Sequence, residues 1–116
     1  MSSRRTLLTI LAAASTALLA PQLASAQNFP DRPVKLVVPF SPGGSTDMVA
    51  RLLAEQMGPF LGQNVVVENK GGGGGAIGAD AVAKARPDGY TIGMATVSTH
   101  GSNPAIYTRL PYDPIK

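Results

Sequence analysis

The sequence predicts an α/β fold with a parallel sheet, and three observations carry that prediction. Short apolar, β-branched runs alternate with helical patterns in the order β-α-β-α-β. The first run, Val34-Lys35-Leu36-Val37-Val38, is almost continuously apolar, as a strand covered on both faces must be. A polar or glycine-rich loop follows every run, and in open parallel sheets such loops line the crevice at the strands' carboxyl ends.

The N-terminal segment is read apart from that fold. Arg4 and Arg5 form a positive n-region, residues 7–20 are apolar or small, Pro21 breaks the stretch, and Ala24-Ser25-Ala26 is an A-x-A cleavage signal. Residues 1–26 are therefore expected to be a signal peptide cleaved after Ala26, which predicts export to the periplasm. The apolar stretch falls short of the roughly 20 residues that span a bilayer. Ser3-Arg4-Arg5-Thr6-Leu7-Leu8 resembles a twin-arginine export signal, although paired arginines also occur in ordinary signals.

Setting that segment aside changes the charge argument. From Gln27 onward, eight Lys and Arg face seven Asp and Glu, so the basic pI belongs largely to the targeting segment. No basic cluster with interleaved aromatics is left, and nucleic-acid binding has no support. There is no cysteine, which excludes disulfides and thiolate metal sites. What remains is enough for one small domain, not two.

The elements follow in order. Residues 27–33 are polar, with Pro30 and Pro33, and form an extended lead-in. Pro39 has no N–H for a ladder, so regular pairing should fail at the end of the first strand. Ser41-Pro42-Gly43-Gly44-Ser45-Thr46-Asp47 turns into a helix, with Ser45 or Thr46 as the expected N-cap and Asp47 in the first turn, where a carboxylate suits the helix dipole. In that helix Met48, Val49, Leu52, Leu53, Met57, Phe60 and Leu61 recur at spacings of three and four, which predicts a core-facing stripe including both methionines. Gly58-Pro59 predicts a kink or early end, and Gly62 is the natural stop if the helix reaches Leu61. Val65-Val66-Val67-Glu68-Asn69 is the second strand. A short helix then begins near Ala76 and uses Ile77, Ala81, Val82 and Ala85. The third strand is expected over residues 90–97, with Gly93 marking a bulge or close packing.

Between the second strand and its helix lie Gly71, Gly72, Gly73, Gly74 and Gly75. Glycine costs roughly 0.5–1 kcal/mol more than alanine in a regular element. Five in a row therefore suggest a backbone that must take positive φ or admit a ligand to its N–H groups. At a helix N-terminus that arrangement is a candidate anion cradle, whereas a flexible linker would have the same composition.

The chemistry on these loops is limited. Gly73, Gly75 and Gly78 satisfy G-x-G-x-x-G, but a dinucleotide fingerprint wants a carboxylate about 20 residues on, where Thr96, Ser98 and Thr99 stand instead. No Walker lysine follows. His100 is the single histidine, no nucleophile elbow precedes it, and the carboxylates are scattered, so no catalytic residues, cofactor or metal site are predicted. Backbone N–H groups, hydroxyls and Asn103 make a binding inventory.

Longer runs carry a family resemblance. Pro30-Asp31-Arg32-Pro33-Val34, Val37-Val38-Pro39-Phe40-Ser41-Pro42-Gly43-Gly44 with Asp47 and Arg51, and Leu61-Gly62-Gln63-Asn64-Val65-Val66-Val67-Glu68-Asn69-Lys70 belong to it. So do Ala85-Arg86-Pro87-Asp88-Gly89-Tyr90-Thr91, Thr99-His100 with Asn103-Pro104, and Leu110-Pro111-Tyr112-Asp113-Pro114. Together they resemble the opening of the Bug family, the extracytoplasmic solute receptors of tripartite tricarboxylate transporters. One departure is Gly71, where the family often has proline after the lysine.

The resemblance implies a type II-like periplasmic-binding-protein fold of two lobes closing on a small carboxylate, which is then handed to membrane permease subunits. It implies ligand contacts from Ser41, Gly43, Gly44, Ser45, Thr46 and Asp47, from Gly73, Gly74, Gly75 and Ala76, and from Ser98, Thr99, His100 and Asn103. Members of the family run to roughly two to three times this length, in keeping with two lobes. Residues 27–116 are accordingly expected to be a partial N-terminal lobe of a truncated receptor or fragment, with the second lobe absent and an exposed sheet edge. A Rossmann-like nucleotide-binding enzyme domain is the alternative.

Overall fold

The computed structural model describes residues 28–115, so the expected signal peptide lies outside the described residues. The elements are β1 (Val34–Val38), α1 (Ser45–Leu61), β2 (Val65–Asn69), a glycine turn (Gly73–Gly75), α2 (Ala76–Ala83), β3 (Thr91–Gly93), a wide helical turn (Val97–Ser102) and α3 (Asn103–Ile106). The three strands form one parallel sheet in the order β2-β1-β3. Val34 stands opposite Val65 and Val38 opposite Asn69 on one side, while Lys35 stands opposite Thr91 on the other. The α/β class and the β-α-β-α-β order are as the sequence predicts.

The central place of β1 explains its composition. Val34, Leu36 and Val38 point to one face, where Leu36 and Val38 meet Ala50 of α1 and are flanked by Phe40, Val65, Val67, Ile92 and Met94. Val37, also buried, points to the other face, where Gly78 and Val82 of α2 lie beside it. Lys35 stays exposed on that second face and pairs with Glu68 at 2.6 Å, while Lys70 holds the other oxygen of the same carboxylate at 2.8 Å. Those two ammonium groups, Lys35 first, keep the Glu68 carboxyl below its ordinary pKa. Pairing does stop near Pro39: the last acceptors of β1 are the Val38 and Val37 carbonyls, serving the Lys70 and Met94 N–H groups.

Helix α1 corrects three expectations. Its N-cap is Gly44 rather than Ser45 or Thr46, and no side chain caps it, because the helix begins one residue earlier. It runs through Pro59 to Leu61 and stops at Gly62, whose φ of 67° is the left-handed stop. Its packing face is the small one: Ala50 and Ala54 are buried, and their short side chains let the helix lie close on the sheet. Met48, Val49, Leu52, Leu53 and Phe60, expected in the core, lie on the outer sides of the helix, with Met48 67% and Phe60 90% exposed.

The third strand is shorter than expected, three residues instead of eight. Met94 adds one more bond to β1, and Thr96 then turns the chain: its side chain accepts from the Thr99 N–H while Thr99 Oγ1 accepts from the Thr96 N–H. At the opposite end of β3 the lead-in is strapped down. The Tyr90 hydroxyl donates to Asp31 Oδ1 at 2.6 Å, which raises its pKa, and the Arg32 guanidinium lies 3.8 Å above the Tyr90 ring.

Two glycines set how closely α2 approaches the sheet. A Cβ on Gly78 would come within 2.6 Å of Pro39 Cα and 2.8 Å of the Lys70 carbonyl, both backbone. A Cβ on Gly93 would come within 2.7 Å of a Val82 methyl, which can rotate. Overpacking costs typically about 1–3 kcal/mol. Gly78→Ala should therefore lower the urea midpoint by the upper end of that range, and Gly93→Ala by clearly less; equal losses would contradict this packing.

Candidate functional site

All three loops lie at the carboxyl edge of the sheet, and the structure brings them into contact. A Cβ on Gly71 would stand 3.1 Å from the Ser41 nitrogen, so the second loop rests on the first. A Cβ on Gly74 would stand 3.2 Å from Asn103 Oδ1, and one on Gly75 2.6 Å from Thr99 Cγ2, so the third loop rests on the second. The bare backbone is a packing requirement as well as a conformational one.

The first loop is organised by Asp47, whose side chain is only 4% exposed. Its Oδ2 accepts the Gly43 N–H at 2.9 Å and Arg51 Nε at 3.0 Å, and its Oδ1 accepts Asn69 Nδ2 at 2.9 Å. Asn69 also donates to the Phe40 carbonyl at 3.1 Å, and its own Oδ1 accepts Arg51 Nη2 at 3.3 Å. These bonds, Arg51 first and then Gly43 and Asn69, lower the Asp47 pKa to about 2. Asp47 is thus occupied within the fold, and the Gly43 N–H with it. Ser41, Gly44 and Ser45 are exposed, and Thr46 is half-buried at the start of α1.

The glycine turn shows why the sequence spends five glycines. Gly72, Gly73, Gly74 and Gly75 have φ of 124°, 56°, 62° and 90°, a conformation closed to most L residues. The turn spends part of its own donors: the Gly75 N–H goes to the Gly72 carbonyl at 3.0 Å, and the Ala76 N–H to the Gly73 carbonyl. The N–H groups of Gly73 and Gly74 have no protein acceptor among the described residues. Both glycines are exposed, and the positive end of the α2 dipole follows them.

The third loop is a helical turn where an irregular loop was expected. In it the Asn103 N–H reaches the Ser98 carbonyl five residues back, a widened turn often found at functional sites. Thr99 is fully buried, with Oγ1 2.7 Å from His100 Nδ1. The exposed His100 is therefore tied to Thr99 rather than to Ser98, which is half-buried. Asn103 is buried, and its Nδ2 donates to the Gly74 carbonyl at 3.1 Å and to the Tyr112 hydroxyl at 3.3 Å. The Tyr112 hydroxyl in turn donates to the Thr99 carbonyl.

Arg51, Asn69 and Tyr112 were missed as site residues. The i,i+4 spacing of Asp47 and Arg51 signals one ion pair. Asn69, the one amide closing an otherwise apolar and acidic strand, is a weaker signal, and Tyr112 is marked only by its place in the Leu110–Pro114 run of the family resemblance.

The three loops thus meet at one edge of the sheet, with the Gly73 and Gly74 N–H groups exposed there. Residues 49–116 match the family described as "Tripartite tricarboxylate transporter family receptor". The chain belongs to this family. Protein BugT of Bordetella pertussis is 53% identical over 74 residues, covering 64% of this chain and 23% of that protein. A UPF0065 protein of Agrobacterium vitis is 48% identical over 107 residues, 87% of this chain and 29% of that protein. Among solved structures, a periplasmic transporter superposes with a TM-score of 0.74 at 58% identity, over 76% of this chain and 30% of its own. MatC from Rhodopseudomonas palustris with bound malate gives 0.73 at 46% identity (76% and 30%), and an R. palustris protein with adipate gives 0.72 at 44% (76% and 29%). The chain thus spans less than a third of the length of the curated relatives it matches, 23% and 29% of these two. The described residues correspond to part of one lobe of the periplasmic-binding-protein fold.

The pH dependence of Asp47 has a definite sign. Its folded pKa of about 2 lies below the ordinary aspartate value of 3.8, so its contribution is present above the unfolded value and is lost as pH falls through the folded one. Unfolding midpoints should drop between about pH 4 and pH 2, and Asp47→Asn should flatten that part of the profile while lowering the midpoint at pH 7.

Proposed function

We propose that this chain supplies one wall of the cleft of a periplasmic solute-binding receptor, and that the ligand is a small carboxylate. The single observation that carries the reading is the pair of exposed N–H groups at Gly73 and Gly74, set before the positive end of α2 and facing no protein acceptor. A carboxylate there would be met by main-chain donors of fixed direction, with the hydroxyls of Ser41 and Ser45 exposed on the adjoining first loop. Malate and adipate in the family's solved structures support that ligand class.

On this reading the protein is a carrier with no catalytic residue, and it delivers its ligand to the permease subunits of a tripartite tricarboxylate transporter. Gly44, Thr46, Ala76 and Ser98 complete the contact set, with His100 at its rim. Asp47, Gly43, Gly75, Thr99 and Asn103 shape the wall through the bonds and packing described above rather than by meeting the ligand with the groups they have already spent.

A thermal-shift series with malate, adipate and NAD tests the reading. A dicarboxylate at 100 times its Kd should stabilise by about 2.7 kcal/mol, and Gly74→Val, with a branched Cβ at a left-handed φ, should abolish the shift. Stabilisation by NAD alone would overturn the receptor reading in favour of a nucleotide-binding domain. Residues 1–26 act as the export signal in the same proposal, so N-terminal sequencing of the periplasmic protein should begin at Gln27.

A further inference from the structure

The glycine turn poses a physical problem that its own residues do not solve. Five consecutive glycines have more conformational freedom than any other five residues, so the directions of the Gly73 and Gly74 N–H groups need an external anchor. One anchor lies within the turn, where the Gly75 N–H meets the Gly72 carbonyl. The other end of that peptide unit, the Gly74 carbonyl, is held by Asn103 Nδ2 at 3.1 Å. Asn103 is held in turn by a residue 9 positions downstream: its Nδ2 also reaches the hydroxyl of Tyr112, which is only 7% exposed and donates to the Thr99 carbonyl.

We propose that Tyr112 is a positioning residue for the ligand-binding wall, acting through Asn103 on the glycine turn. Its hydroxyl accepts from one element, Asn103 at the start of α3, and donates to another, the wide turn at Thr99. Without that hydroxyl the Asn103 amide loses one of its two acceptors, and the buried Thr99 carbonyl loses a donor. The Asn103 side chain is then free to swing, and the peptide between Gly74 and Gly75 is held from one end only. The aromatic ring makes a separate contact: it packs 6.1 Å from the His100 ring. Of the proposed ligand contacts the Tyr112 ring meets only His100, at the rim, and its hydroxyl meets none, so the hydroxyl acts on affinity indirectly.

This inference rests on the carboxylate reading for its functional consequence but not for its structural one, and the experiment separates the two. Tyr112→Phe keeps the ring and removes only the hydroxyl, so the full 116-residue chain should still fold. Amide exchange followed by NMR should show the Gly75 and Ala76 N–H groups exchanging at least tenfold faster, while those of Val34–Val38 keep their wild-type rates. Malate or adipate affinity should fall about three- to tenfold, and Tyr112→Leu, which loses ring and hydroxyl together, should lower it further. A glycine turn with unchanged exchange in Tyr112→Phe overturns the proposal, and so does a uniform acceleration across turn and sheet, which would mark general destabilisation. If the wild-type chain binds neither acid while its turn still responds to Tyr112→Phe, the carboxylate reading fails and the positioning role stands.

Discussion

A carboxylate taken out of water has to find its partners inside the fold, and Asp47 finds them on three elements. Gly43 belongs to the loop after β1, Arg51 to α1, and Asn69 to the end of β2. One buried group therefore fixes where the first loop turns, where the helix starts and where the second strand ends. Replacing Asn69 would leave Asp47 Oδ1 without its partner where water has little access. The glycine turn leaves β2 directly after Asn69 and Lys70, so its placement against Ser41 follows from the same set of bonds.

Much of this was legible because it depends on local chemistry repeated along the chain. The near-continuous apolar run of β1 announces a strand covered on both faces, and glycines between a strand and a helix announce unusual φ. The capping of α1 was not legible. Ser45 and Thr46 are good N-caps by residue type, but Asp47 reaches back to the Gly43 N–H and the helix starts from Gly44 instead. The third strand was overestimated because residues 94–97 have strand-like composition, whereas the reciprocal Thr96–Thr99 bonds bend the backbone into a helical turn. The role of Tyr112 was not legible for a different reason. Its role depends on contacts with residues 9 and 13 positions earlier, across a turn and a short helix, and no spacing rule encodes those.

The helix α1 shows a limit of periodicity itself. Spacings of three and four identify a stripe but do not tell which of two neighbouring stripes meets the sheet. Here the sheet takes Ala50 and Ala54, with Asp47 one turn before them, and the bulkier Val49, Leu53 and Phe60 lie along the adjoining side. The alanines win because a small side chain permits a short distance between helix and sheet, which gains dispersion contacts along the whole interface. The larger residues leave an apolar depression lined by Leu53, Met57, Phe60 and Leu61, with Gln56 the one amide among them.

The strand order has a consequence for how the chain folds as it is made. Lys35 lies opposite Val66 and Thr91, so β1 waits for partners 31 and 56 positions later in the sequence. Parallel pairing of this kind pays loop-closure entropy before it gains any ladder bond, and it raises contact order. The pairing with β2 can form first, since it closes the shorter loop and delivers the Asp47–Asn69 bond with it. Until residues 91–93 emerge, β1 keeps one row of main-chain groups bare along its most apolar segment. The strand made first is complete only when the third has been made.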